Sequence, residues 1–461
     1  MTKQENPLGY EKISKLLRGF AIPSIIAMVV SSLYNIVDQI FIGQGVGYLG
    51  NAATNVSYPL TTICLAIALL IGIGSASRFS LHLGAGEKED AARVVGNGIS
   101  MMVVFGIIYA IVIEIFLDPL LTVFGATAEI MPYAKEYTRI IALGMPFLIV
   151  TNGMSNLARA DGSPKYSMTC MLIGAVINTI LDPIFIFVFH LGVAGAAWAT
   201  IIGQFCSFIA AVLYIRKFKS VEIKGKDIRL IPKECGKTAS LGMSNSLNQL
   251  AITFVQIVLN NSLTFYGADS AYGMEIPLAA CGIVMKTKAI LIAFVIGIYQ
   301  GSQPILGFNY GAKQYGRVRQ TYKLAIGANL AISAVGFILF QFFPYQIISL
   351  FGTGDQLYFE FAVRFMRIFL FMVIANGVQV ISSNFFSAIG KPVKGLVLSM
   401  TRQVIFLIPF ILILPLFMGL DGILYAGPAA DTIAFITTVI LIRREMRQMK
   451  KLQQQNLETD H

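Results

Sequence analysis

Residues 166–189 read YSMTCMLIGAVINTILDPIFIFVF, from Tyr166 to Phe189. Apolar side chains fill nearly every position, and about twenty such residues suffice for a helix to cross the hydrocarbon of a bilayer. Asn178 and Asp182 break the pattern. They stand four apart, so they share one face of a helix, one turn from each other, and Pro183 follows directly. A carboxylate at that depth costs at least ~3 kcal/mol on insertion scales, so such residues face a water-filled cavity and mark the path of an ion or substrate. The stretch predicts a spanning helix whose polar stripe turns toward other helices and away from lipid.

The rest of the chain extends that reading. Of its 461 residues, 56% are hydrophobic and 13% charged, against roughly 25% charged in a soluble domain. Apolar runs at 18–42, 52–77, 94–117, 137–157, 166–189, 193–215, 238–265, 277–305, 321–343, 359–387, 394–417 and 421–442 predict twelve spans. Little remains for a soluble domain. Strand-period alternation is absent, which argues against a barrel. The first apolar run has no small-residue cleavage site after it and is too long for a signal h-region, so it reads as a retained span. The expected fold class is an all-α polytopic membrane protein.

The formal net charge of +11 follows topology. Lys and Arg gather in the loops after even-numbered runs, above all Arg216, Lys217, Lys219, Lys224, Lys226, Arg229, Lys233 and Lys237, and in the tail from Arg443 to Lys451, whereas 43–58 carries no charge. The positive-inside rule then places both termini in the cytoplasm, as an even span count also requires. The basic loops suit anionic lipid headgroups, and nucleic acid is not an expected partner. Five cysteines without a C-x-x-C pair read as reduced packing residues.

A second signal is internal repetition. Gly74-Ser75 recurs as Gly301-Ser302, Gly84-Ala85 as Gly311-Ala312, Phe124-Gly125 as Phe351-Gly352 and Gly195 as Gly422, all 227 residues apart. With one further step, Ala160-x-Gly162-x-Pro164 recurs as Ala388-x-Gly390-x-Pro392. Two halves, 1–216 and 238–461, joined by a basic linker 217–237, are expected to form two six-helix bundles. Six is even, so both enter the membrane the same way, around a central cleft suited to alternating access.

The repeated A-x-G-x-P, the Leu83–Gly86 loop with its counterpart Tyr310–Lys313, and Asn178 to Pro183 make the chain resemble the multidrug and toxic compound extrusion (MATE) transporters, and within them the MepA group, over about residues 15–445. The resemblance implies a multi-pass exporter in a bacterial-type plasma membrane, acting as a monomer on small cationic amphiphilic drugs or dyes, a basis for antibiotic resistance. It implies antiport against Na⁺ or H⁺, with no cofactor besides the coupling ion. The family pattern of a first-span Asp, a fifth-span Asn-x-x-x-Asp and a sixth-span Thr falls on Asp38, Asn178, Asp182 and Thr200, and Tyr34 also matches.

The residues support such a site on their own. Counting ~1.5 Å per residue along each span puts Asp38, Asn178, Asp182 and Thr200 at a similar outer level. Two carboxylates, an amide carbonyl and a hydroxyl form a hard-oxygen set that suits Na⁺ or a shared proton. Carboxylates close together at low dielectric cannot both carry full charge cheaply, so the pair accepts a proton or a cation. A plainer reading has Asp182 accepting backbone bonds freed by Pro183, and Asn178 and Thr200 making ordinary interhelical contacts. Asn152 and Asn156 in the fourth span are weaker members. In the second half, Gln249, Gln256, Asn260 and Asn376 stand where other branches of the family carry carboxylates. Asp431 is the exception and is expected to pair with Arg402. Lys286 and Lys288, two apart, cannot share a helix face. Soft walls for a cleft are expected from Met145, Met154, Met243, Met285 and Gln256, and hinges from Pro23, Pro59, Pro146, Pro183, Pro277, Pro304 and Pro409.

The rival readings are a lipid-linked oligosaccharide flippase, which wants a strongly cationic cavity, and a channel, which wants a pore-loop motif that is missing. An enzyme is not expected, since no nucleophile with a base and no phosphate loop appears. His82, His190 and His461 stand isolated in the sequence.

Overall fold

The computed structural model describes residues 6–351 and 355–459. These residues form helices and turns, with no strand among them. Among the described residues, eleven helices are long and apolar enough to cross a membrane, or up to twelve if a bent pair is one span. In chain order they are α1 Ile13–Gly45, α2 Tyr48–Ala85, α3 Lys88–Ile115, α4 Met131–Ala160, α5 Pro164–Pro183 and α6 Gly192–Leu213. The second half continues with α7 Pro232–Ala268, α8 Glu275–Gly311 and α9 Tyr315–Phe342. The bent pair, taken as α10, is Gln356–Phe369 with Val373–Ala388; α11 is Pro392–Met418 and α12 Leu420–Thr459. Most run past the apolar stretches, because polar ends such as Lys88–Ala92 and Pro232–Lys237 stay helical.

One expected span is not a single rod. The 359–387 run bends by 48° between its two helices. No proline or glycine lies there; three-residue turns such as Phe371 N to Ile368 O close the break. The first segment is amphipathic. Phe361, Phe365, Met366 and Phe369 are buried, while Gln356, Glu360, Arg364 and Arg367 keep to the other side. Arg364 ion-pairs with Asp421 at 2.6 Å, which ties this segment to the start of α12.

The prolines also divide. Helices run through Pro23, Pro59, Pro146 and Pro304, whereas Pro183 closes α5 into a π-helical turn, Ile184–Val188. A second π-helical turn, Thr401–Leu407, interrupts α11 just before Pro409. Such turns occur disproportionately at functional sites.

The two halves meet where α1 packs on α8 and α2 packs on α7 and α8. The repeated glycines make that contact. A Cβ on Gly74 would stand 2.1 Å from Thr238 O, and on Gly301, its repeat, 2.5 Å from Ala21 N. Gly84 and its repeat Gly311 likewise meet Phe308 O and Leu81 O, at 1.9 and 2.1 Å. No side chain fits at these crossings, so the repeat preserves one backbone approach on both sides of the pseudo-axis. Around them Ile71, Ile73, Ala76, Phe79, Ile298, Ile305 and Phe308 are buried. The seal lies toward the basic end, where Arg78 of α2 ion-pairs with Glu234 of α7 and donates to Thr238 Oγ1 at 3.3 Å.

The basic linker docks on that same end. Asp161, in the loop between α4 and α5, accepts hydrogen bonds from Tyr214 Oη, Lys219 N and Ser220 N at 2.7–2.9 Å, and Asn97 Oδ1 accepts from Ile231 N at 2.8 Å. The equivalent loop of the second half reverses the charges, with Lys391 and Lys394 both on Glu445, which is fully buried.

Candidate functional site

The site forms where the far ends of α1 and α5 converge. Gly45, ending α1, has room for no side chain, since a Cβ there would stand 2.0 Å from Ile186 Cγ2 of the π-helical turn. Ile42, Ile186 and Ala196 close over this junction as a small apolar cluster, with Phe41 edge-on to Phe187 at 6.2 Å. Two turns back along α1, Asp38 comes within electrostatic reach of Asp182. Asp182 is 0% and Asn178 3% exposed; Asp38 is half-buried.

One amide organises the rest. Asn178 Nδ2 donates to Asp182 Oδ1 and to Thr200 Oγ1 of α6, both at 3.2 Å. Its carbonyl is thereby turned away from both. Asp38 Oδ1, Asp182 Oδ2 and Asn178 Oδ1 are buried and accept no hydrogen bond from the protein. The large majority of buried side-chain polar atoms are satisfied, so three orphaned oxygens in one set make a candidate seat for a cation or proton. The expectation that Asp182 merely caps a proline kink does not describe this geometry, because its oxygens are turned to Asp38 and Asn178.

Tyr34 lies in electrostatic reach of Asp38 and Asp182. So does Tyr137 of α4, which the sequence reading missed. The polar segment around it, YAKEYTR, reads as the edge of the fourth run, and nothing in one sequence says which neighbour faces α1. Thr138, next to it, bonds Ser57 of α2 at 2.6 Å and fixes α4 in register.

Two expected members stand apart. Asn152 and Asn156 lie 15 and 19 residues along α4 from Tyr137, roughly 22 and 28 Å by helical rise. Asn152 Nδ2 bonds back to Leu148 O, and Asn156 Oδ1 accepts from the buried Arg159, which also holds Ser167. They belong to a separate network toward the basic end. The proposed cleft liners are scattered as well. Met145 and Met154 are buried in the core of the first half, at 2% and 1% exposed, while Met243 is exposed at 39%. Met285 packs against the apolar core of the second half, and Gln256 Nε2 bonds Asn260 Oδ1 at 2.8 Å.

In the second half Arg402 Nε pairs with Asp431, as expected, and Asn376 Nδ2 donates to the same carboxyl at 3.2 Å. His82 is not isolated. Its Nδ1 meets Glu87 at 2.6 Å, with Asp90 near, on the basic face. His190 adopts a positive φ of 53° at the loop after the π-helical turn, and His461 lies outside the described residues.

A family model described as MatE matches residues 23–184 and 246–413. Multidrug export protein MepA of Staphylococcus aureus (strain MRSA252) is 25% identical over 443 residues, covering 95% of this chain and 96% of that protein. Its namesake in Staphylococcus haemolyticus (strain JCSC1435) is 26% identical over 447 residues, with the same coverage. Among solved structures, that of the MATE multidrug transporter DinF-BH, determined as a ligand complex, is 34% identical, with a TM-score of 0.88 over 96% of this chain and 98% of that one. The crystal structure of MATE in complex with MaL6 is 24% identical and shares the fold, with a TM-score of 0.90 over 96% and 99%.

Proposed function

This chain belongs to the MatE family of multidrug transporters, and on that premise we propose that it exports small cationic amphiphilic compounds in exchange for Na⁺ or H⁺ held between Asp38 and Asp182. The observation that carries the coupling site is the set of three orphaned oxygens on Asp38, Asn178 and Asp182. Two carboxyls in contact repel unless a proton or cation lies between them. Binding of the ion draws α1 onto α5; its departure leaves a charge pair that pushes them apart. Drug release is favoured in the first state and drug capture in the second, and antiport requires that exclusion.

Access alternates between the halves 1–216 and 238–461, rocking about linker 217–237. The distribution of Lys and Arg favours cytoplasmic termini, so the glycine seal and the Arg78–Glu234 pair close the cytoplasmic end while the carboxyl pair sits toward the outside. A flippase reading is not favoured: the charge gathered at the candidate site, Asp38 with Asp182, is acidic, the opposite of a pyrophosphate cradle.

The experiment is dye efflux from proteoliposomes under separately imposed Na⁺ and pH gradients. Efflux driven by at least one gradient is expected; flux indifferent to both removes the antiport reading.

A further inference from the structure

We propose that the second half holds a site for a carboxylate group of the substrate, formed by Lys288 of α8 and Arg402 of α11 beside Asn376 and Asp431. The proposal rests on the reading of this chain as a drug exporter and adds a substrate class, zwitterionic amphiphiles, to it.

The four residues meet deep in the bundle. Lys288, Arg402 and Asp431 lie 13, 10 and 11 residues from the starts of their helices, so by helical rise each is roughly 15–20 Å from the nearer end of its helix. Arg402, Asn376 and Asp431 are each 4% exposed, and Lys288 is half-buried. The charged neighbours of Lys288 are Arg402 and Asp431, and its ammonium stands 5.7 Å over the Phe369 ring.

Counting charges leaves an imbalance. One carboxylate, Asp431, is already engaged by Arg402 Nε and Asn376 Nδ2, and it faces two cations. A buried ammonium at mid-depth is costly unless an anion compensates it. A donor is also left over: Arg402 Nη2 is buried and makes no hydrogen bond. The π-helical turn Thr401–Leu407 sets Arg402 off the regular helical register, so that its guanidinium serves Asp431 with one nitrogen and has another to spare. A guanidinium edge with an ammonium beside it is the donor geometry of a carboxylate. The excess of one charge matches a monoanion and falls short of a phosphate monoester, which carries ~1.5–2 negative charges at neutral pH. α8 packs along α1 and α2 of the first half as well as on its own half, so Lys288 stands on the helix shared by both walls of the cleft. A zwitterion is then sorted by its two ends, its cationic end toward the acidic half and its carboxylate toward Lys288 and Arg402.

The test is fluorescence anisotropy on the purified protein with two dyes of one chromophore, a rhodamine ethyl ester and its free acid. For Lys288→Gln the Kd of the free acid is expected to rise about tenfold, the weight of one charged hydrogen bond, while that of the ester moves less than about twofold. Lys288→Arg is expected to restore free-acid binding, and ester binding reports in every variant that the protein is folded. Equal changes for both dyes, or none for either, assign Lys288 to a structural ion cluster and overturn the proposal. Failure of the wild type to bind either dye would overturn the exporter reading itself, and this site with it.

Discussion

Asp38 and Asp182 lie more than 140 residues apart in the chain, yet their carboxyl groups stand within electrostatic reach of each other. Nothing cationic from the protein stands between them: the partners of Asp182 are Asn178 and Asp38, and neither Lys nor Arg reaches the pair among the described ion pairs. A contact between like groups persists in a fold when an exchangeable charge compensates it. On that ground we propose the pair as the seat of the coupling ion.

Asp38→Asn and Asp182→Asn are each expected to lower ion-driven export by at least about tenfold, the loss of one charged interaction, without loss of the protein from the membrane. Efflux rate and membrane abundance, measured together, check this. Normal export by either purified variant would remove the pair from the mechanism.

The cross-half glycines give a second prediction. Gly74→Val and Gly301→Val place carbon within 2.1 and 2.5 Å of the opposing backbone, so the basic end is not expected to close and transport stops. A Ser77→Cys reporter, fully buried in the native seal, is expected to react with a hydrophilic thiol reagent in these variants and resist it in the parent. Gly225→Ala, at a site with open space around it, is the control that leaves labelling unchanged.

Asp161 gives a third. Asp161→Ala leaves donors on Tyr214, Lys219 and Ser220 without their acceptor and is expected to cost about 1–3 kcal/mol by unfolding in detergent. Burial raises the carboxyl of Asp161 above its ordinary value, against the hydrogen bonds from Lys219, Tyr214 and Ser220 that lower it. The folded protein therefore holds that proton more tightly than the unfolded chain. Its contribution to stability is full below the ordinary carboxylate value of about 4 and is lost as pH rises through the raised one. Asp161→Asn is expected to flatten that slope; an unchanged slope would contradict the assignment.

Much of this is legible in the sequence. The 3.6-residue period shows that Asn178 and Asp182 share a face, and the 227-residue repeat names the glycines that later prove to make the seal. What a single helix cannot reveal is its neighbour. Tyr137 enters the site because Thr138 locks α4 against Ser57, and Asn152 and Asn156 leave it because helical rise carries them two membrane levels away. Met145 and Met154 have the right chemistry for a cleft wall and face the core instead. The break in α10 carries no Pro or Gly signal; it follows from seating the Arg364 face outside while four apolar side chains turn in.

The central claim is that drug and ion exclude each other through the Asp38–Asp182 pair, and release of bound cation on drug addition to the purified protein measures it most directly. The account predicts that a cationic dye displaces protons or Na⁺ from the wild type and none from Asp182→Asn. Equal release from the two proteins, or dye binding to the wild type with no release of either ion, would contradict it.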